Sequence, residues 1–121
     1  MIELLAKITE LLRSVCPETY LEWNDSDNAT YPYLTYTADG EYLGRNRDGF
    51  TVDVDIFDNN SSYKNIYEIE QKIKDELCFG RIMTDDFFLM IDYQRSNTVP
   101  TGDKTIKRRT TALYIQVDWR N

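Results

Sequence analysis

Asp53 and Asp55 stand two apart in the run Phe50–Asp58, FTVDVDIFD, with Asp58 just beyond them. Residues two apart on a strand share a face, so the pair sets two carboxylates side by side. Many metal-dependent nucleases hold a divalent ion this way. The same pattern also decorates sheet surfaces that meet solvent or a partner, and both readings stand at this point. A calcium loop is excluded, because Phe57 occupies its fifth place and no glycine follows in the required place. Asp25 and Asp27 fail the same test at Ala29 and read as turn residues.

The rest of the catalytic repertoire is thin. Histidine is absent, which removes the commonest general base and metal ligand. Cys16 and Cys78 form neither a CxxC pair nor a disulfide framework, and without histidine no Cys–His nucleophile can form. Both cysteines are expected to act as small buried hydrophobes. The chain has no GxSxG arrangement and no glycine-rich phosphate loop. The expectation is a protein that is not an enzyme and uses no metal or cofactor.

Two stretches suit contact better than catalysis. Lys107-Arg108-Arg109 is the only dense basic cluster in the chain. It can pair across strands with Asp53 and Asp55, meet an acidic surface on a neighbouring copy, or touch nucleic-acid phosphates. The acidity of the chain favours the first two. The second stretch, 94–104, holds Arg95, Asn97, Thr98, Pro100, Gly102 and Lys104 and reads as a mobile loop. Loops of this length in a compact domain are disordered or functional, and this one is either simply disordered or an arm that orders against a partner.

These residues need elements to position them. The organising stretch is Phe50 to Leu77, a strand feeding a helix that packs back on its own sheet. Val52, Val54 and Ile56 alternate with Thr51, Asp53, Asp55 and Phe57, which predicts a strand with one buried face. Ile66, Ile69, Ile73 and Leu77 then follow at three- and four-residue spacing, which predicts an amphipathic helix. Asp58 to Ser62 supplies capping side chains, and Glu68–Lys72 and Glu70–Lys74 are spaced as helical ion pairs.

Before this unit, residues 2 to 15 form a first helix with Ile2, Leu5, Ile8, Leu12 and Val15 on its stripe, broadened by Leu4 and Leu11, and Pro17 ends it. A short extended piece at Tyr20 to Trp23, a polar turn to Thr30 and a strand over 31–37 come next. Asp39-Gly40 and the polar run Gly44 to Gly49 are turn material. After the second helix, Phe79-Gly80 is a helix stop, Phe87 to Tyr93 a strand apolar on both faces, and Thr105 to Trp119 a long final strand. The order α-β-β-β-α-β-β implies an α+β fold, with two main helices on one face of a mostly antiparallel sheet.

Totals narrow the class. The 121 residues suit a single domain, 1–121, able to build a core without staples. With 41% hydrophobic and 29% charged residues the chain is globular rather than disordered. A net charge of −7 argues against duplex binding, which depends on basic groups displacing counterions. Met1 leads straight into an amphipathic helix, so synthesis in a reducing cytoplasm is expected, and no apolar run reaches membrane-spanning length.

The ordered pattern is familiar. Tyr31-Pro32-Tyr33-Leu34-Thr35-Tyr36, a loop, Val52 to Asp58, a Ser-Ser-Tyr helix start at Tyr63, the Ile/Leu stripe and a basic-then-aromatic final strand follow one another. This resembles the tail terminator, or tail completion (tail-to-head joining), proteins of long-tailed bacteriophages and prophages, over about four fifths of the chain. Many relatives carry Trp then Ser where this chain has Phe57 and Asp58.

The resemblance implies a homohexameric ring in the virion tail, made in the bacterial host cytoplasm. That ring caps the tail-tube protein and presents a face to the head-connector protein, while DNA passes through without specific binding. It also implies interface roles for the 95–104 loop and the start of the last strand. Candidate interface residues are then Asp53, Asp55, Arg95, Asn97, Thr98, Lys104, Lys107, Arg108 and Arg109. The competing readings are a small nucleic-acid-binding domain, since helix–three strands–helix echoes double-stranded RNA binders, and a nuclease using Asp53 and Asp55.

Overall fold

The structure, a computed structural model, describes residues 2–22, 30–78 and 80–120. Trp23, the turn residues at 24–29 with Asp25 and Asp27, and Phe79 of the expected helix stop lie outside the described residues. The elements are α1 (Ile2–Arg13), β1 (Thr19–Leu21), β2 (Tyr33–Gly44), β3 (Arg47–Asp58), α2 (Lys64–Lys72), β4 (Arg81–Met83), β5 (Phe87–Thr98) and β6 (Lys107–Trp119). This is the expected α+β arrangement, with one further short strand, β4, whose three residues are too few to show a period. One sheet runs β1-β2-β3-β6-β5-β4, antiparallel throughout except where β1 meets β2. No described helix is long and apolar enough to cross a membrane.

β3 and β6 form the spine, paired without interruption from Arg47↔Asp118 to Asp58↔Lys107. Val52, Val54 and Ile56 on β3, with Leu113, Ile115 and Val117 on β6, lie buried on one face. Leu34 and Tyr36 of β2 and Phe87, Leu89 and Ile91 of β5 extend the same apolar layer. Burying an aliphatic side chain of this size contributes about 2 kcal/mol. Both helices cover this face.

In α2, Ile66 and Ile69, followed by Ile73 and Leu77, are buried as the spacing predicts. Ser62 Oγ accepts from the Lys64 amide at 3.4 Å. The final turn, Ile73–Leu77, widens so that the Cys78 amide reaches the Ile73 carbonyl at 3.1 Å, and Leu77 and Cys78 both end in the core. One expected ion pair is replaced: Glu70 turns to Arg109, and Lys74 lies 5.3 Å from the Tyr93 ring centre.

In α1 the stripe is set differently from its prediction. Leu4, Ile8 and Leu12 are buried, while Ile2 is 81% exposed. The helix is pinned from the sheet by Tyr36, whose hydroxyl donates to the Leu5 carbonyl at 3.0 Å and accepts from Thr9.

Two expected loops are mostly strand. β2 and β3 run on to a two-residue turn at Arg45-Asn46, where Asn46 takes a φ of 62°, a left-handed conformation that asparagine tolerates. Likewise β5 continues to Thr98, so the expected loop at 94–104 begins only at Val99. Polar residues alone therefore misplaced both boundaries. Long strands with one solvated face carry as many polar residues as a loop does.

Burial gives the core a pH signature. Desolvation raises the Tyr36 phenol above its ordinary 10.0 and, with help from Asp92, pushes the Cys78 thiol from 9.0 up to about 11. Each group thus holds its proton more tightly folded than unfolded, so stability is full below pH 9 and falls as pH rises from about 9 through 11. Urea-unfolding midpoints measured across that window should decline, and Cys78→Val should flatten the decline.

Candidate functional site

The sheet face away from the helices is the candidate site, because no element among the described residues covers it. Its side chains fall in rows across the strands. Tyr33–Phe57–Arg108 forms one row, Thr35–Asp55–Thr110–Asn97 the next, then Thr37–Asp53–Ala112–Arg95, and Asp39–Thr51–Tyr114–Asp92. Asp53 and Asp55 do share this face, as their spacing requires.

Asp55 is already engaged. Arg108 donates to its Oδ1 through Nε at 3.2 Å and brings Nη2 within 3.1 Å as an ion pair, and Thr110 donates to the same oxygen. The Arg108 guanidinium also lies 5.3 Å from the Phe57 ring centre. Phe57 in turn stacks on Tyr33 at 4.8 Å, and Tyr31 and Tyr20 pack at the far side of Tyr33. An aromatic and cationic ladder therefore crosses one end of the open face, half-buried by its own stacking. Burial and the neighbouring Tyr31 raise the Tyr33 phenol.

A second device lies further along. A Cβ on Gly49 would fall 1.9 Å from the Tyr114 hydroxyl, so only glycine leaves room for the ring. Tyr114 thereby reaches Glu41, to which it donates at 2.6 Å, and this hydrogen bond raises its phenol above the usual 10.0. Neither the stack nor this bond follows from local sequence period. The signal available for the stack was that Tyr33 and Phe57 fall in alternating positions near the ends of facing strands.

The basic cluster does not act as one patch. Alternation along β6 sends Arg108 to the open face and Arg109 and Lys107 to the helix side. Arg109 donates through Nε to Glu70 at 2.7 Å, through Nη1 to Thr98 at 2.8 Å and through Nη2 to Ser96 at 3.0 Å, with its guanidinium 4.9 Å from the Tyr67 ring centre. Lys107 sits 5.6 Å from the Tyr63 ring centre. Cross-strand pairing with Asp55 is thus made by Arg108 alone. Asp58 also leaves the acidic group: it is buried on the helix side, accepting from the Asn59 amide at 2.9 Å and the Asn65 side chain at 3.0 Å.

β5 carries a bulge between Tyr93 and Arg95. Beyond it Arg95 and Asn97 face the open side, while Thr98 faces α2 with Arg109. Lys104 lies in the turn at 99–106, which is tied by Thr101 and Asp103: Thr101 Oγ1 donates to carbonyl oxygen at 2.9 Å, and Asp103 accepts from the Thr105 amide at 2.9 Å. The nine candidates are therefore split. Asp53, Asp55, Arg95, Asn97 and Arg108 share the open face, Thr98, Lys107 and Arg109 lie on the helix side, and Lys104 is in the loop.

Among the described residues no group of three or more cysteine, aspartate or glutamate side chains is placed to hold a metal ion. A cleft of about 430 Å³ opens between the end of α1, the start of β2 and α2, lined by Cys16, Tyr31, Glu68 and Lys72 among others. Burial raises the Cys16 thiol there, which works against a reactive thiolate.

No family model matches the sequence, and no curated protein does. Among solved structures, a chain of the "Virion of native gene transfer agent (GTA) particle" superposes over 89% of this chain and 84% of its own, with a TM-score of 0.67 and 9% identity. That chain and this one share a fold. At such identity the likeness is one of architecture.

The two neighbouring arginines should differ in energetic weight. Arg109 and Glu70 keep only 13% and 11% of their side-chain surface exposed, against 35% for Arg108. Arg109→Met is expected to lower unfolding free energy by about 2 kcal/mol, because it strands Glu70 and two hydroxyls. Arg108→Ala should cost under about 1 kcal/mol. Chemical denaturation of the two variants checks the order.

Proposed function

We propose that this chain is a structural component of a tailed-phage or phage-like particle. It caps the finished tail tube as a homohexameric ring and forms the joint to the head connector, with DNA passing through the centre without specific binding. The observation that supports this most is the fold shared, over most of both chains, with a chain of a gene transfer agent virion. The sequence resemblance to tail completion proteins points the same way.

Physical features agree with that role. The open face offers carboxylates, hydroxyls and stacked rings spread over a broad surface, which suits contact with proteins. A net charge of −7 suits a wall past which DNA must slide, because like charges keep the polyanion from adhering. The nucleic-acid alternative loses its strongest support, since Arg108 and Arg109 each face a carboxylate of their own chain.

Light scattering of the purified chain, alone and with purified tail-tube protein, tests the proposal. The expected result is a six-copy mass or a stable complex with the tube. A chain that stays a monomer in both samples and does not co-sediment with tubes overturns it.

A further inference from the structure

We infer that neighbouring copies join edge to edge, the acidic open edge of β2 on one copy against the open edge of β5 that carries Arg95 on the next. The inference rests on the ring reading above and names the surface that builds the ring.

Both edges are only half covered. β1 pairs with β2 at Leu34, Thr35 and Tyr36, and β4 pairs with β5 at Phe88, Leu89 and Met90. The later parts of both strands, 38–44 and 91–98, have no neighbour on that side among the described residues. They lie at diagonally opposite corners of the sheet. Such an edge presents unpaired amide and carbonyl groups and is a template for another strand.

Backbone phase identifies the outward groups. The Tyr36 carbonyl accepts from Glu22 on the β1 side, so Ala38, Gly40 and Tyr42 point their amides and carbonyls the same way. On β5 the Val99 amide donates inward to Arg108, which leaves Ser96 and Thr98 pointing outward. Tyr42 is 78% exposed.

Direction and charge then choose the pairing. β2, β3, β6 and β5 alternate in direction, so β2 and β5 run opposite ways. Side-by-side copies in one orientation therefore bring these edges together antiparallel. Asp39 and Glu41 project on the open face of β2, and Arg95 projects on the open face of β5, on the far side of the bulge from Asp92. Strands paired across a junction keep a common face, so Arg95 meets the two carboxylates. Arg95 makes no ion pair within its own chain among the described residues. Two β2 edges would oppose like charges, which favours the head-to-tail pairing that closes rings. β1 and β4 fill the remaining corners, so each copy sits offset along the strands, and a closed sheet with such an offset has tilted strands.

The test uses the full chain, with assembly read by light scattering and folding by circular dichroism. Arg95→Glu is expected to weaken assembly by about tenfold or more, as loss of a close charge pair across an interface does. Combining it with Asp39→Lys and Glu41→Lys should restore assembly. Tyr42→Pro removes one outward amide, is tolerated at a free edge and should give a folded monomer. Folded Arg95→Glu and Tyr42→Pro proteins that assemble like the wild type overturn the edge inference and leave the ring reading standing. So does loss in Arg95→Glu that the swapped charges fail to repair. A wild type that never assembles, with or without tail-tube protein, removes the ring reading and this inference with it.

Discussion

Val52, Val54 and Ile56 take one face of β3 wholly out of water, and the two-residue repeat of a strand then commits Asp53, Asp55 and Phe57 to the other. Among the described residues α1 and α2 provide the cover, and both dock on the apolar side. A sheet clothed on one side must make its bare side soluble by composition. Here that is done with carboxylates, threonines and rings, of which Tyr114 is bonded to Glu41. Small side chains sink between these larger ones: Ala112 and Thr35 are buried on the bare side with no described helix above them.

Charge follows from the same geometry. Adjacent arginines on β6 part company at the backbone, one entering a half-wet ladder of rings and the other a nearly dry junction between α2 and the sheet. The dry junction has partners for three guanidinium nitrogens in Glu70, Thr98 and Ser96, and Tyr93 steadies Ser96 with a bond of 2.8 Å. A buried charge is tolerable only when so fully bonded. The exposed partner tolerates looser arrangement because water screens it.

Where a face is buried, the sequence was legible. The periods on β3, β6 and α2 correctly gave strand, strand and helix, because hydrophobic burial is written directly into residue spacing. On α1 the stripe was broad enough to admit two settings, and Tyr36, thirty-odd positions away, decided between them. The outer halves of β2 and β5 were illegible for a different reason. No apolar repeat marks them, and their polar side chains are those of turns. The open-face carboxylates were found from spacing alone. Their partners were not, because Arg108 is 53 residues from Asp55.

The bulge at Gln94 has one further effect. In a regular ladder Gln94 would stand opposite Ala112, and Arg95 would then fall opposite Thr111, beneath α2 and close to Arg109. Two guanidinium groups would share a compartment furnished with one carboxylate. The surplus residue shifts the phase of everything after it, so that hydroxyls rather than a second cation line that compartment. Shortening the chain by Gln94 itself would straighten the ladder and still leave Arg95 opposite Ala112 and Ser96 opposite Thr111.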